Sequence, residues 1–84
     1  MNQQIAQWYE NETGLNANQG QGRIEKIEKF LNERQLNLSE VKIRVRKVNT
    51  KYGYKPLVAT PDRERIGTTS HSAKRTTEYY VEVK

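Results

Sequence analysis

Lys42, Arg44 and Arg46 alternate with Val41, Ile43 and Val45. A period of two is the pattern of a half-buried strand, here with one basic face. Cations two residues apart on a strand stand about 6.6–6.8 Å apart. Phosphates along one DNA strand advance ~3.4 Å per step, so the row suits every second phosphate of a backbone. The same spacing describes a solvated sheet face whose arginines pair with Glu78 and Glu82 on neighbouring strands, which would weaken such a site. A second basic segment contains Arg63, Arg65, Lys74 and Arg75, interleaved with the hydroxyls of Thr68, Thr69, Ser70, Ser72 and Thr76. Guanidinium forks, hydroxyls and backbone amides are the groups that hold phosphate oxygens. Tyr52, Tyr54 and Tyr80 add rings on which unpaired bases stack, although tyrosines on strands also serve as packing.

Catalytic chemistry finds little support. His71 is the sole histidine, lying between two serines with no acidic neighbour in sequence. A general base needs a proton acceptor within reach of its substrate and a group to orient it. No cysteine is present, which excludes a disulfide, a thiolate metal site and a thiol nucleophile. One histidine and no spaced acidic cluster leave no metal-ligand set, and no cofactor motif is visible. Gly20-Gln21-Gly22 lacks the third glycine and the preceding strand of a phosphate-binding loop. The expectation is a non-enzymatic protein with no small-molecule substrate.

The chain of 84 residues carries a net charge of +5, unevenly placed. Residues 1–40 hold four Lys/Arg against six Asp/Glu, and residues 41–84 hold eleven against four. A basic half opposite an acidic one implies a polyanionic partner, either nucleic acid or an acidic protein surface. The longest aliphatic run, Leu57-Val58-Ala59, is far shorter than the ~20 residues of a membrane span. Met1–Ile5 shows no basic stretch leading into an apolar one, so the chain reads as cytoplasmic and without a membrane partner.

The elements that must position these cations follow from periodicity. Ile5 with Trp8 or Tyr9 gives a short helix over 3–12, capped by Asn2 and ended by Gly14 in the left-handed conformation. Residues 16–22 hold Asn, Gln and Gly with no large apolar side chain, and read as a flexible, protease-sensitive linker. Ile24, Ile27 and Leu31, with Phe30, make an amphipathic helix over 23–36 that Asn37 can terminate. After the strand from Val41, turn residues 49–53 lead to a second strand at 54–60, which Pro56 confines to an edge. Thr60-Pro61 then resembles a helix start stopped by Gly67, followed by a loop over 68–74. Thr77, Tyr79, Val81 and Val83 mark a last strand.

These elements predict an α+β fold in which one amphipathic helix covers a small antiparallel sheet of about three strands. Residues 1–22 form a short helix on its linker, and residues 23–84 the compact body. The predicted core is Ile24, Ile27, Phe30, Leu31, Val41, Ile43, Val45, Tyr79, Val81 and Val83. The functional expectation is a small basic binding protein that contacts nucleic-acid phosphates through its C-terminal half. Its site residues are Lys42, Arg44, Arg46, Arg63, Arg65, Lys74 and Arg75, with Tyr52 and Tyr54. The alternative is a small regulator or inhibitor, of the phage or mobile-element type, docking on an acidic surface of a larger protein. In either case, reversing Arg44 and Arg46 to Glu is expected to disturb the fold little, because both sit on an outward face.

Overall fold

The computed structural model describes residues 3–49, 60–72 and 75–84, and of 70–72 the backbone alone. Helix α1 spans Gln3–Thr13, a 3-10 turn covers Ala17–Gln19, and helix α2 spans Gln21–Arg34. A second 3-10 turn, Leu38–Glu40, leads into strand β1, Val41–Asn49, followed by β2, Arg63–Ser72, and β3, Arg75–Val83. The sheet order is β1-β3-β2 with both pairings antiparallel, so the architecture is α+β with a three-stranded antiparallel sheet.

The helices carry the apolar layer. Ile5, Ala6 and Tyr9 are the buried residues of α1; Ile24, Ile27, Phe30 and Leu31 those of α2. They pack on Val41, Ile66, Tyr79 and Val81 of the sheet, with Ile43 and Val83 partly buried against them. The core therefore contains Ile5, Ala6, Tyr9, Ala17 and Ile66 beyond the predicted set. Val45 is the correction in the other direction. It is 46% exposed, because it lies on an edge strand beyond the cover of the helix layer.

The stretch expected to be a flexible linker is a packed connection. Gly14 ends α1 at φ 72 and donates its amide to the Glu10 carbonyl at 2.8 Å. The Asn16 side chain accepts the Asn18 amide at 2.8 Å, and the Glu10 carboxylate accepts the Ala17 amide at 2.9 Å. Ala17 is buried, and Gly20 approaches the Tyr9 hydroxyl so closely that a Cβ there would lie 2.8 Å from it. Small residues were a sign of close contact here, not of freedom. Asn2, the expected cap of α1, lies outside the described residues.

At the end of α2 the left-handed residue is Gln35, at φ 54, and not Asn37. The Leu36 amide bonds back to the Leu31 carbonyl at 3.0 Å, closing the helix end. Asn37 instead opens the next turn, its amide donating to the Glu40 carboxylate at 3.1 Å.

The expected helix after Pro61 is a turn, and the expected loop over 68–74 is largely β2. Pro at the second position of a turn is as favourable as Pro at a helix start. Ile66, Thr68 and Thr69 are β-branched and supply the strand propensity that wins. A bulge between Arg65 and Gly67 interrupts the register. The proposed second strand at 54–60 lies outside the described residues except for Thr60, which bridges Arg63. The last strand in the chain is the middle strand of the sheet, with six consecutive buried residues from Thr77 to Glu82. Tyr79 and Val81 face the helices, and Glu78, Tyr80 and Glu82 are buried on the opposite face.

Arg23 ties the two layers together. Its Nη1 donates to the Tyr9 hydroxyl at 3.2 Å and its Nη2 to the Thr68 carbonyl at 3.0 Å. Its guanidinium lies 5.3 Å from the centre of the Tyr79 ring, within cation–π range. One side chain from α2 thus touches α1, β2 and β3.

Candidate nucleic-acid interface

The face of the sheet opposite the helices is built in three cross-strand rows. Lys42, Glu82 and Arg63 face one another across β1, β3 and β2. Arg44, Tyr80 and Arg65 form the next row, and Arg46, Glu78 and Thr68 the third. Residues directly opposite on paired strands share a face, so five cations from the two outer strands flank two carboxylates on the central one. The bulge at Ile66 changes the alternation of β2. Arg63 and Arg65 face outward before it, Ile66 joins the core, and Thr68 takes the outward position after it.

The carboxylates sit low and the cations stand above them. Glu78 has no exposed surface, and the Glu82 side chain is only 9% exposed. The side chains of Lys42, Arg44 and Arg65 are about half exposed, and that of Arg46 is 33% exposed. Arg44 Nε donates to Glu82 at 3.0 Å, with Lys42 Nζ 3.5 Å from the same oxygen. Arg46 Nη1 donates to one oxygen of Glu78 at 3.0 Å, and Arg65 Nη1 lies 3.6 Å from the other. The Tyr80 hydroxyl also donates to Glu78, at 2.9 Å. A buried carboxylate is tolerated only when paired and hydrogen-bonded, and Glu78 meets both conditions.

The arginine–glutamate pairing foreseen as the weaker reading of the basic face is therefore present. Its effect on surface charge is nonetheless partial. Among the described residues of this face five cations outnumber two carboxylates, and the carboxylates lie beneath Lys42, Arg44, Arg46 and Arg65. An approaching anion meets guanidinium and ammonium groups already held in place.

The structure brings together Lys42, Arg44, Arg46, Arg63 and Arg65 from the expected site. Arg63 and Arg65 act from a strand, not from a flexible loop grip. Arg75 does not join them. Its position on β3 has the same parity as Tyr79 and Val81, which places it on the other face at the far end of the sheet. Tyr80 is 2% exposed and hydrogen-bonded, so it offers no ring for base stacking. Lys74, Tyr52 and Tyr54 lie outside the described residues, as does the side chain of His71.

Glu78 and Glu82 are the residues that order the site. The alternation of Glu78, Tyr80 and Glu82 was the available sequence signal, but the burial of these side chains was not visible in it. Among the described residues no group of three or more His, Asp or Glu side chains is arranged to hold a metal ion. No described helix is long and apolar enough to cross a membrane. Comparison of the chain with protein-family models, with curated proteins and with solved structures gives no match.

Proposed function

We propose that this chain is a non-enzymatic, cytoplasmic binding protein that grips nucleic-acid phosphates through the outer face of its sheet. The observation that supports this reading is the layer of four partly exposed cations, Lys42, Arg44, Arg46 and Arg65, over two sunken carboxylates, with Arg63 beside them on β2. Phosphate contacts from Lys and Arg supply sequence-independent affinity. The carboxylates hold the guanidinium groups before the ligand arrives, which lowers the ordering cost of binding.

The test is fluorescence anisotropy of labelled nucleic acid over a salt series, with Arg44→Gln/Arg65→Gln beside the wild type. This pair takes one cation from each outer strand and leaves Lys42 on Glu82 and Arg46 on Glu78. Loss of two phosphate contacts is expected to flatten the slope of log K against log salt by about 1.8 on duplex DNA, or about 1.4 on single strands. Wild-type protein that binds no DNA or RNA at 50 mM salt would sink the reading. The acidic-surface regulator would then take its place, with the same cations docking on carboxylates of a protein partner.

A further inference from the structure

Resting on the phosphate-binding reading, we infer that the two cation rows straddle the minor groove of duplex DNA, one row against each sugar–phosphate backbone. The rows are Lys42, Arg44 and Arg46 on β1 and Arg63 and Arg65 on β2, with β3 between them. Two inter-strand steps separate the rows by about 9.6 Å at the backbone. Their charged ends lean inward: Arg46 and Arg65 bind the two oxygens of Glu78 at 3.0 and 3.6 Å. These two guanidinium groups accordingly stand within about 9 Å of each other. The B-DNA minor groove is about 6 Å wide between the phosphates that rim it, a gap that two such rows can bridge. The major groove, about 12 Å wide, admits a two-stranded ribbon, whereas the described residues make this face three strands broad with its cations on the outer two.

A B-form DNA duplex suits the face better than a single strand or an A-form duplex. Single-strand binders stack bases on exposed aromatic rings. Among the described residues the aromatic side chain on this face is Tyr80, which is buried with its hydroxyl on Glu78. A single strand offers one backbone, which one row would occupy while the other stood idle. An A-form duplex presents a wide, shallow minor groove, so its two backbones lie too far apart there for rows this close. The central carboxylates fall beneath the groove axis, where they remain capped by Arg44, Arg46 and Tyr80.

The experiment compares a 20-base-pair DNA duplex, either of its single strands and the RNA duplex of the same sequence, at one salt concentration. A tenfold or greater preference for the DNA duplex is expected, together with displacement by a small ligand that fills the minor groove. Arg44→Gln and Arg65→Gln, each alone, are expected to flatten the salt slope on the DNA duplex by about 0.9, because each row holds its own backbone. Circular dichroism of each variant keeps a folding defect separate from a binding one. Equal or tighter binding to the single strand or the RNA duplex overturns the duplex-DNA assignment while leaving the phosphate-binding function standing. Binding unaffected by the minor-groove ligand, or a slope changed by only one of the two variants, overturns the straddled geometry. Failure to bind any of the three nucleic acids removes the functional reading itself.

Discussion

Nη1 of Arg46 lies 3.0 Å from Oε1 of Glu78, a carboxylate with no exposed surface. Arg44, two residues away on the same strand, donates at the same distance to Glu82, which keeps a little solvent contact and a second cation in Lys42. Two arginines that look equivalent in sequence therefore differ in what depends on them. Reversal to Glu is expected to be tolerated better at Arg44 than at Arg46.

Arg46→Glu is expected to destabilise the fold by about 3–5 kcal/mol, because it sets a second carboxylate against a buried one. For a domain of this size the whole stability is about 4–12 kcal/mol. Arg44→Glu is expected to cost less, between the ~1 kcal/mol of an exposed pair and the ~3–5 kcal/mol of a buried one, because Arg44 is half exposed and Glu82 keeps Lys42 as a second cation. Urea denaturation of the two variants gives the comparison. Equal midpoints would show that the burial of Glu78 does not matter to stability.

Gly67 is where β2 passes beneath Arg23. A Cβ at Gly67 would lie 2.5 Å from the Arg23 Nε and 2.9 Å from its Cγ. The guanidinium cannot retreat without leaving Tyr9, Thr68 and the Tyr79 ring. Gly67→Ala is expected to cost about 1–3 kcal/mol, as overpacking does, and each kcal/mol lowers Tm by about 4–8 °C at this chain length. Arg23→Ala removes the obstacle, so the double variant should be more stable than the two single losses added together predict. Thermal melts of the three variants measure that difference.

Gln35 holds the left-handed conformation that closes α2. A non-glycine residue there costs roughly 1–2 kcal/mol of backbone strain, and its side chain is exposed. Gln35→Gly is expected to stabilise the protein by up to about 1 kcal/mol, read as a higher Tm in a thermal melt. An unchanged or lower Tm would mean that the loss of backbone entropy in the unfolded chain outweighs the relieved strain.

Glu82→Gln tests the charge balance of the face. The amide oxygen still accepts a hydrogen bond from Arg44, while one negative charge disappears from among the cations. A charge about 7 Å from a bound phosphate repels it by about 0.6 kcal/mol in water-like surroundings. Affinity for a polyanion is therefore expected to rise about threefold at low salt, and less at high salt. Anisotropy titrations at two salt concentrations check both parts.

Much of the fold was legible because periodicity reports which face of an element is buried. The helix stripe of Ile24, Ile27, Phe30 and Leu31 and the alternation of Val41, Ile43 and Val45 each pointed to the element that formed. Residues 16–22 misled because glycine and small residues mark both free chain and tight contact. What distinguishes the two here is Tyr9, seven or more residues away, against which Gly20 packs. The segment after Pro61 misled because its strand character depends on pairing with β3, a partner that local sequence does not reveal. For the candidate site, the cations of β1 were readable from alternation. That Arg63 and Arg65 share their face follows only from the order β1-β3-β2. The pairing of Glu78 with Arg46 and Arg65, one from each outer strand, depends on the same order.

The last element of the chain is the middle of the sheet, and this sets a timetable for synthesis. Neither β1 nor β2 can find its described partner until Arg75–Val83 has left the ribosome. At about 5–20 residues per second, the apolar side chains of α2 wait some 2–10 s for the strand they cover. During that interval Ile24, Ile27 and Phe30 are open to holdase chaperones and to neighbouring nascent chains. A stall before β3 emerges would hold β1 and β2 without the described strand that pairs with both.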